Sequence, residues 1–175
     1  LIGHSESKIL FAEDQEQVDK LLEIEEEIPQ VKKVVYWDPK GMRHYDDVLL
    51  MYFGAVQELG REFELSHPEV FEAEINAGQA DDVAMILTTS GTTSAPKLAM
   101  LSYRNMLHMA EHLLVEVDPM DASDEFVSAL PLAWVGEQMM AISGSMSIGF
   151  PINFPEEPTT VQENIREIAP HVMFS

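Results

Sequence analysis

Apolar and polar positions alternate in short blocks whose period switches along the chain. Lys8 to Glu13 (KILFAE) reads as a buried strand, and Gln15 to Glu27 carries Val18, Leu21 and Leu22, followed by Ile28, at helical spacing. Val31 to Trp37 predicts a second strand, ended by the turn signal Asp38-Pro39-Lys40-Gly41. The next helical stretch is Asp46 to Leu59, and residues 60–82 read as acidic and irregular, punctuated by His67-Pro68, Asn76, Gly78 and Asp81-Asp82.

Val83 to Leu87 is a continuous apolar run, which predicts a buried strand, and it passes directly into the polar turn TTSGTTSAPK. Leu98 to Leu101 predicts a short strand. Tyr103 to Val117 is the clearest helix, with Met106, Met109, Ala110, Leu113, Leu114 and Val117 expected on one buried face. Phe126 to Leu130, Pro151 to Phe154 and His171 to Phe174 read as strands, with helices over Trp134 to Met146 and Thr159 to Ile168. Strands alternating with helices of this length imply crossover connections and an α/β fold, three-layer, with a mainly parallel sheet and helices on both faces.

Charge narrows the partners. Among 175 residues, 31 are acidic and 10 basic, a formal net charge of −21, which repels phosphate backbones and excludes nucleic-acid binding through a basic surface. Both halves are acidic: residues 1–82 hold twenty acidic and seven basic residues, and the rest hold eleven and three, so charge marks no domain boundary. The cluster Glu23, Glu25, Glu26, Glu27 reads as a solvated helix face.

With no cysteine, a disulfide framework and thiolate metal sites are excluded, and a reducing interior fits best. The longest uncharged stretch, Gln138 to Pro155, is too short and too broken by Ser, Gly and Pro for a spanning helix. The chain therefore reads as a soluble protein without a transmembrane segment, cytoplasmic or peripheral to a membrane. LIGHSESKIL lacks an initiator methionine and the features of a signal peptide, as expected of an internal fragment.

The segment that carries chemistry is Thr88-Thr89-Ser90-Gly91-Thr92-Thr93-Ser94-Ala95-Pro96-Lys97. After a strand, hydroxyls and backbone N–H groups can donate to a polyphosphate while a terminal lysine neutralises charge. In so acidic a protein, local donors and Mg²⁺ must supply the attraction, so Mg·ATP is the expected form of the nucleotide. The loop is not a Walker A motif, since Lys97 is flanked by Pro96 and Leu98.

TTSGTTSAPK followed by LAMLSYRN resembles the phosphate-binding signature of the adenylate-forming superfamily, usually TSGTTGxPKGV. A second match lies downstream, where Leu130 to Glu137 (LPLAWVGE) resembles the LPLAHxxE segment. The flanks AEDQEQVDKLLEI, VVYWDPKGMRHYDD, LPLAWVGEQMM and INFPEEP look like bacterial long-chain fatty acid CoA ligases, AMP-forming acyl-CoA synthetases within that superfamily. The resemblance covers nearly the whole chain but only about the middle third of a full enzyme of that family. It implies one piece of the large N-terminal AMP-binding domain over 1–175, with an acidic front part at 1–82 and a part at 83–175 that carries the loop and the LPLAW segment.

The resemblance implies a two-step reaction: a fatty acid carboxylate attacks the α-phosphate of ATP, giving acyl-adenylate and pyrophosphate, and the coenzyme A thiol then displaces AMP. Carried over residue by residue, Thr88, Thr89, Ser90, Gly91, Thr92, Thr93, Ser94 and Lys97 would hold the phosphates. Trp134 and Glu137 would lie near the junction of nucleotide and acyl sites. The family's later motifs supply a Mg²⁺-binding glutamate, a ribose-binding aspartate, a hinge and a catalytic lysine; the chain stops at Ser175 before them, and alone is expected not to complete adenylation.

Three positions depart from the pattern: Ser94 and Leu98 replace glycines, and Trp134 replaces the histidine of the downstream segment. Trp134 reads equally as an aromatic gate near the acyl channel or as a core residue, and Met139 and Met140 are candidates for an acyl tunnel. Two other function classes remain: adenylation of an aryl or amino acid, and a non-catalytic α/β anion-binding module. His108-Met109-Ala110-Glu111-His112 fits the H-x-x-E-H pattern of inverted zinc peptidases. Its side chains fall on the face opposite the apolar stripe and no third ligand is marked by spacing, which argues against zinc hydrolysis. Oligomeric state and acyl chain length are not legible.

Overall fold

Strands β1 (Ile9–Ala12), β2 (Lys33–Tyr36) and β3 (Leu50–Tyr52) lie side by side and parallel, in that order, with Phe11 opposite Val35 and Val35 opposite Met51. They belong to a computed structural model that describes residues 1–89 and 97–173 and divides into two compact units, Leu1–Gly78 and Gln79–Ser175.

In the first unit β2 is the central strand, and both Val34 and Val35 are buried, so each of its faces is covered. The crossover from β1 runs through helix α1 (Gln15–Leu22), which Asp14 caps by accepting from the Gln17 N–H at 3.0 Å. Val18 on α1 and Val34 on β2 are fully enclosed, and Ala12, Ile28, Val31, Met42 and Leu49 complete that core. The predicted turn at Asp38 to Gly41 is present, and Gly41 has φ +83°, a left-handed conformation that disfavours any side chain.

Two stretches differ from expectation. Asp46 to Leu59 is not one helix: Leu50–Tyr52 forms β3, and helix α2 (Phe53–Ser66) starts only after it. The run Val48 to Phe53 is apolar enough for either state, and parallel pairing with β2 decides for strand. Residues 60–82 are not irregular either, since α2 continues to Ser66 and helix α3 (Val70–Ala77) follows. Neither helix has a buried residue, and Leu59, Phe63, Phe71 and Ile75 stand exposed. Dense acid and the His67-Pro68 break concealed the helical period there.

In the second unit, β4 (Val83–Thr89) and β5 (Lys97–Ser102) pair antiparallel. The Val83 to Leu87 run is a strand, as its apolar pattern predicts, but no residue of β4 is buried within this chain, and Val83 and Ile86 are exposed. Helix α4 (Tyr103–Glu111) follows β5 directly, opened by a capping box in which Ser102 and Asn105 satisfy each other's backbone N–H. It continues as a wider π-helical stretch, His112–Val117. The buried side of this rod is Met106, Ala110 and Leu114, each four residues from the last, while Met109 and Val117 face outward, contrary to expectation.

Strand β6 (Phe126–Val127) pairs parallel with β7 (Ile152–Asn153), and Phe126 also bridges Val172 in parallel. Between them, α5 (Val135–Glu137), a π-helical segment Gln138–Gly144 and α6 (Ser145–Ile148) run end to end. Phe126, fully buried, packs with Leu114, Met120, Met140, Ala141 and Phe150 into the second core. Helix α7 (Val161–Ile168) closes the described chain. Parallel strands with crossover helices agree with the expected α/β class, and the β4–β5 hairpin is the local exception.

Substituting Gly41→Ala places a β-carbon in left-handed backbone and should lower the stability of the first unit by about 1–2 kcal/mol. Urea unfolding checks this; an unchanged midpoint would mean that the turn relaxes to negative φ.

Candidate functional site

The hairpin brings together the two ends of the TTSGTTSAPK segment. Thr88 pairs with Leu98 and Thr89 with Lys97, and the Thr89 hydroxyl donates to the Lys97 carbonyl at 3.5 Å. Thr88, Thr89 and Lys97 are all exposed. Ser90, Gly91, Thr92, Thr93 and Ser94, also expected in the phosphate site, lie outside the described residues. The direct pair Thr89 and Lys97 puts a hydroxyl and an ammonium group side by side at the end of the ladder, with no carboxylate anywhere in the segment, a donor set that suits a phosphate, while Thr88 alternates to the other face.

At its other end the hairpin is tied to α4. The Arg104 guanidinium donates to both oxygens of Asp81, Nε to Oδ1 at 2.7 Å and an Nη to Oδ2 at 3.2 Å. Alongside, the Tyr103 N–H donates to the Asp82 carbonyl and the Arg104 N–H to the Ala80 carbonyl, at 3.2 and 2.7 Å. Hydrogen bonding to Arg104, reinforced by its charge, holds the Asp81 carboxyl below its ordinary range.

The LPLAW segment leaves the carboxyl end of β6. Trp134 is 61% exposed within this chain, while Glu137 three positions on is 1% exposed. The Ser128 hydroxyl donates to Glu137 Oε1, and Glu137 Oε2 is buried with no hydrogen-bond partner among the described residues. Met140 belongs to the second core, and Met139 is half-buried.

The sequence profile of AMP-binding enzymes matches residues 1–175. The chain belongs to the AMP-binding enzyme family. Among curated relatives, this AMP-binding chain is 29% identical over 176 residues to the long-chain-fatty-acid–CoA ligase ACSBG2 of Homo sapiens, covering 98% of the chain and 26% of that protein. A shorter match, 52% identical over 52 residues, covering 30% of the chain and 7% of that protein, is to the chloroplastic long-chain-fatty-acid–[acyl-carrier-protein] ligase AEE15 of Arabidopsis thaliana. Among solved structures, the anthranilate CoA ligase AuaEII in complex with anthranoyl-AMP shares the fold, with a TM-score of 0.70 at 15% identity over 99% of this chain and 32% of that one. The chain thus spans about a quarter of the length of the curated relatives that match it throughout: 26% of ACSBG2 and 26% of the Drosophila melanogaster long-chain-fatty-acid–CoA ligase heimdall.

The other motif of this AMP-binding chain stands apart. His108, Glu111 and His112 are exposed on α4 and its extension. The two imidazoles meet edge to face at 4.1 Å, and His112 Nδ1 lies 2.7 Å from Glu116 Oε2. Among the described residues no three potential ligands converge on a metal position, and no helix is long and apolar enough to cross a membrane.

Two features escaped the sequence reading. Ser128 is one; its only signal was a hydroxyl directly after the apolar pair Phe126-Val127. The other is a shallow hollow of about 330 Å³ at the carboxyl ends of β1 and β2, lined by Phe11, Ala12, Glu13, Trp37 and Phe53, with the Trp37 and Phe53 rings 4.6 Å apart. Its signal was an aromatic residue at or beside three successive strand ends.

Because the folded value of Asp81 is depressed, its contribution to the hairpin base is present above the ordinary carboxylate range and is lost as pH falls through that folded value. In Arg104→Gln, the Asp81 carboxyl titration followed by NMR should return to its ordinary midpoint of 3.8. A midpoint unmoved by the substitution would show that Arg104 is not the cause.

Proposed function

We propose that the enzyme to which this chain belongs ligates a long-chain fatty acid to coenzyme A through an acyl-adenylate, with Mg·ATP as the nucleotide. The observation that carries the reading is the pair of ordered motifs, TTSGTTSAPK and LPLAWVGE, in a chain aligned over nearly its full length with a long-chain-fatty-acid–CoA ligase. In the first step an oxygen of the acid carboxylate bonds to the α-phosphorus and the bond to pyrophosphate breaks. In the second, the coenzyme A sulfur bonds to the acyl carbon, AMP departs, and the thiol proton passes to a base or to water.

Thr88, Thr89, Ser90, Gly91, Thr92, Thr93, Ser94 and Lys97 hold the β- and γ-phosphates in this reading. Pairing of Thr89 with Lys97 supports it, because the same register sets hydroxyl donors and a cation at one hairpin end. Lys97 opposes the charge that gathers on departing pyrophosphate. Gly91 leaves room for backbone N–H groups to approach phosphate oxygens. Trp134 and Glu137 lie at the junction of nucleotide and acyl sites, with the exposed indole toward the acid. Mg²⁺ enters with the nucleotide and neutralises phosphate charge that a protein of net charge −21 would otherwise repel. The activity belongs to the full-length enzyme, placed in the cytoplasm or at a membrane periphery.

A second acceptor has a specific observation behind it. The segment 52% identical to a long-chain-fatty-acid–[acyl-carrier-protein] ligase favours a thiol carried on acyl carrier protein. Adenylation is common to both readings, and a direct comparison of the two thiols separates them.

In the full-length enzyme, Lys97→Ala should lower fatty-acid-dependent pyrophosphate release about 10²–10³-fold, the usual range for loss of one transition-state charge contact. Release at the unsubstituted rate would remove Lys97 from the phosphate site.

A further inference from the structure

The LPLAW loop is exposed throughout its middle but closed at its base by a buried contact. Pro131, Leu132, Ala133, Trp134 and Val135 are exposed, while Ser128 before them and Glu137 after them are 7% and 1% exposed. Those two buried residues, nine apart in sequence, are joined by the hydrogen bond from the Ser128 hydroxyl to Glu137 Oε1. We propose that Ser128 and Glu137 form a clasp that fixes the LPLAW loop and so positions Trp134. The proposal rests on the reading above that Trp134 adjoins the acyl site, and names Ser128 as a positioning residue for it.

Each half of the clasp is anchored to a different element. Ser128 is held to β7 by its own N–H, which donates to the Asn153 carbonyl at 2.9 Å, and the Asn153 side chain reaches back to Glu125 and to the Phe126 carbonyl. Glu137 sits in α5, whose first turn is set by Trp134 as its N-cap, and the Gln138 N–H donates to the Trp134 carbonyl at 3.2 Å. The side-chain bond therefore spans strand and helix, and fixes the two ends of the loop relative to each other. Inside the loop, among the described residues, only short-range bonds remain, from the Trp134 N–H to the Pro131 carbonyl at 2.9 Å and from Gln138 Nε2 to the Leu132 carbonyl at 2.5 Å. They shape the turn but do not set its place.

The chemistry of Glu137 argues against simple filling of space. An apolar side chain fills a buried volume without the desolvation that a carboxyl suffers, and here Oε2 has no partner among the described residues to offset it. The oxygen that is partnered is the one that closes the loop. An amide at this position keeps an acceptor for Ser128, whereas alanine removes it.

The test uses the full-length enzyme labelled with fluorotryptophan, with the Trp134 fluorine resonance assigned by its loss in Trp134→Phe. Ser128→Ala should shift that resonance and raise the KM for the fatty acid about tenfold with a smaller change in kcat, as expected for lost positioning of a substrate contact. Glu137→Ala should shift the Trp134 resonance in the same way, and Glu137→Gln, which keeps an acceptor for Ser128, should leave that resonance near its position in the unsubstituted enzyme. A Trp134 resonance unmoved in Ser128→Ala overturns the clasp. If Ser128→Ala fails to fold, the contrast between Glu137→Gln and Glu137→Ala decides, and equal effects overturn the clasp. An unsubstituted enzyme that turns over no fatty acid would defeat the function reading alone, because the fluorine signal reports the clasp without turnover.

Discussion

Backbone pairing across the β4–β5 ladder is the constraint on which the site depends. If TTSGTTSAPK holds phosphates as proposed, its donors must lie near its cation, and chain connectivity alone leaves the two ends of the segment far freer than that. Setting Thr89 opposite Lys97 removes this freedom with main-chain hydrogen bonds that are indifferent to side-chain identity. The ladder in turn is held from below by the two-pronged Arg104–Asp81 contact and by the capping box that turns β5 directly into α4. α4 reaches the second core through Leu114 in its extension, so the β4–β5 ladder is tied to a packed interior by one continuous covalent path.

Electrostatics work through local rather than global charge. A net charge of −21 opposes a polyphosphate at long range, and screening confines that repulsion to about a Debye length, some 8 Å at physiological ionic strength. Within that distance the composition of a single segment matters more than the total. TTSGTTSAPK carries one cation and no carboxylate, in a protein where acids outnumber bases about threefold.

Much of this was legible in the sequence because the informative signals are local. The alternation of apolar runs with helical periods located β1, β2, β4, β5 and the α4 rod, and two ordered motifs pointed to the family. Failures occurred where a non-local contact chose between states that the sequence left nearly equal. Leu50–Tyr52 became a strand because β2 offers an edge to it. β4 reads as a covered strand from its apolar run, yet among the described residues its one strand neighbour is its hairpin partner β5. On α4 the apolar stripe was wider than the surface available to bury it, so Met109 and Val117 were left outside. Ser128 could not be read because a hydrogen bond to Glu137 has no periodicity, and only the fold brings strand end and helix start together.

The parallel pairings also set an order of assembly. Every strand pair of the first unit closes by Tyr52, so its sheet can form as soon as that residue is available. Strand β6 is different: its partners are Ile152 and Val172, and neither exists while the loop-bearing half is still being made. Domains fold as their chains emerge during synthesis. On a translating ribosome the acidic first unit would close before the second, while Phe126, the centre of the second core, waits for its strand partners through the synthesis of dozens more residues, with the edges of β6 open for that interval.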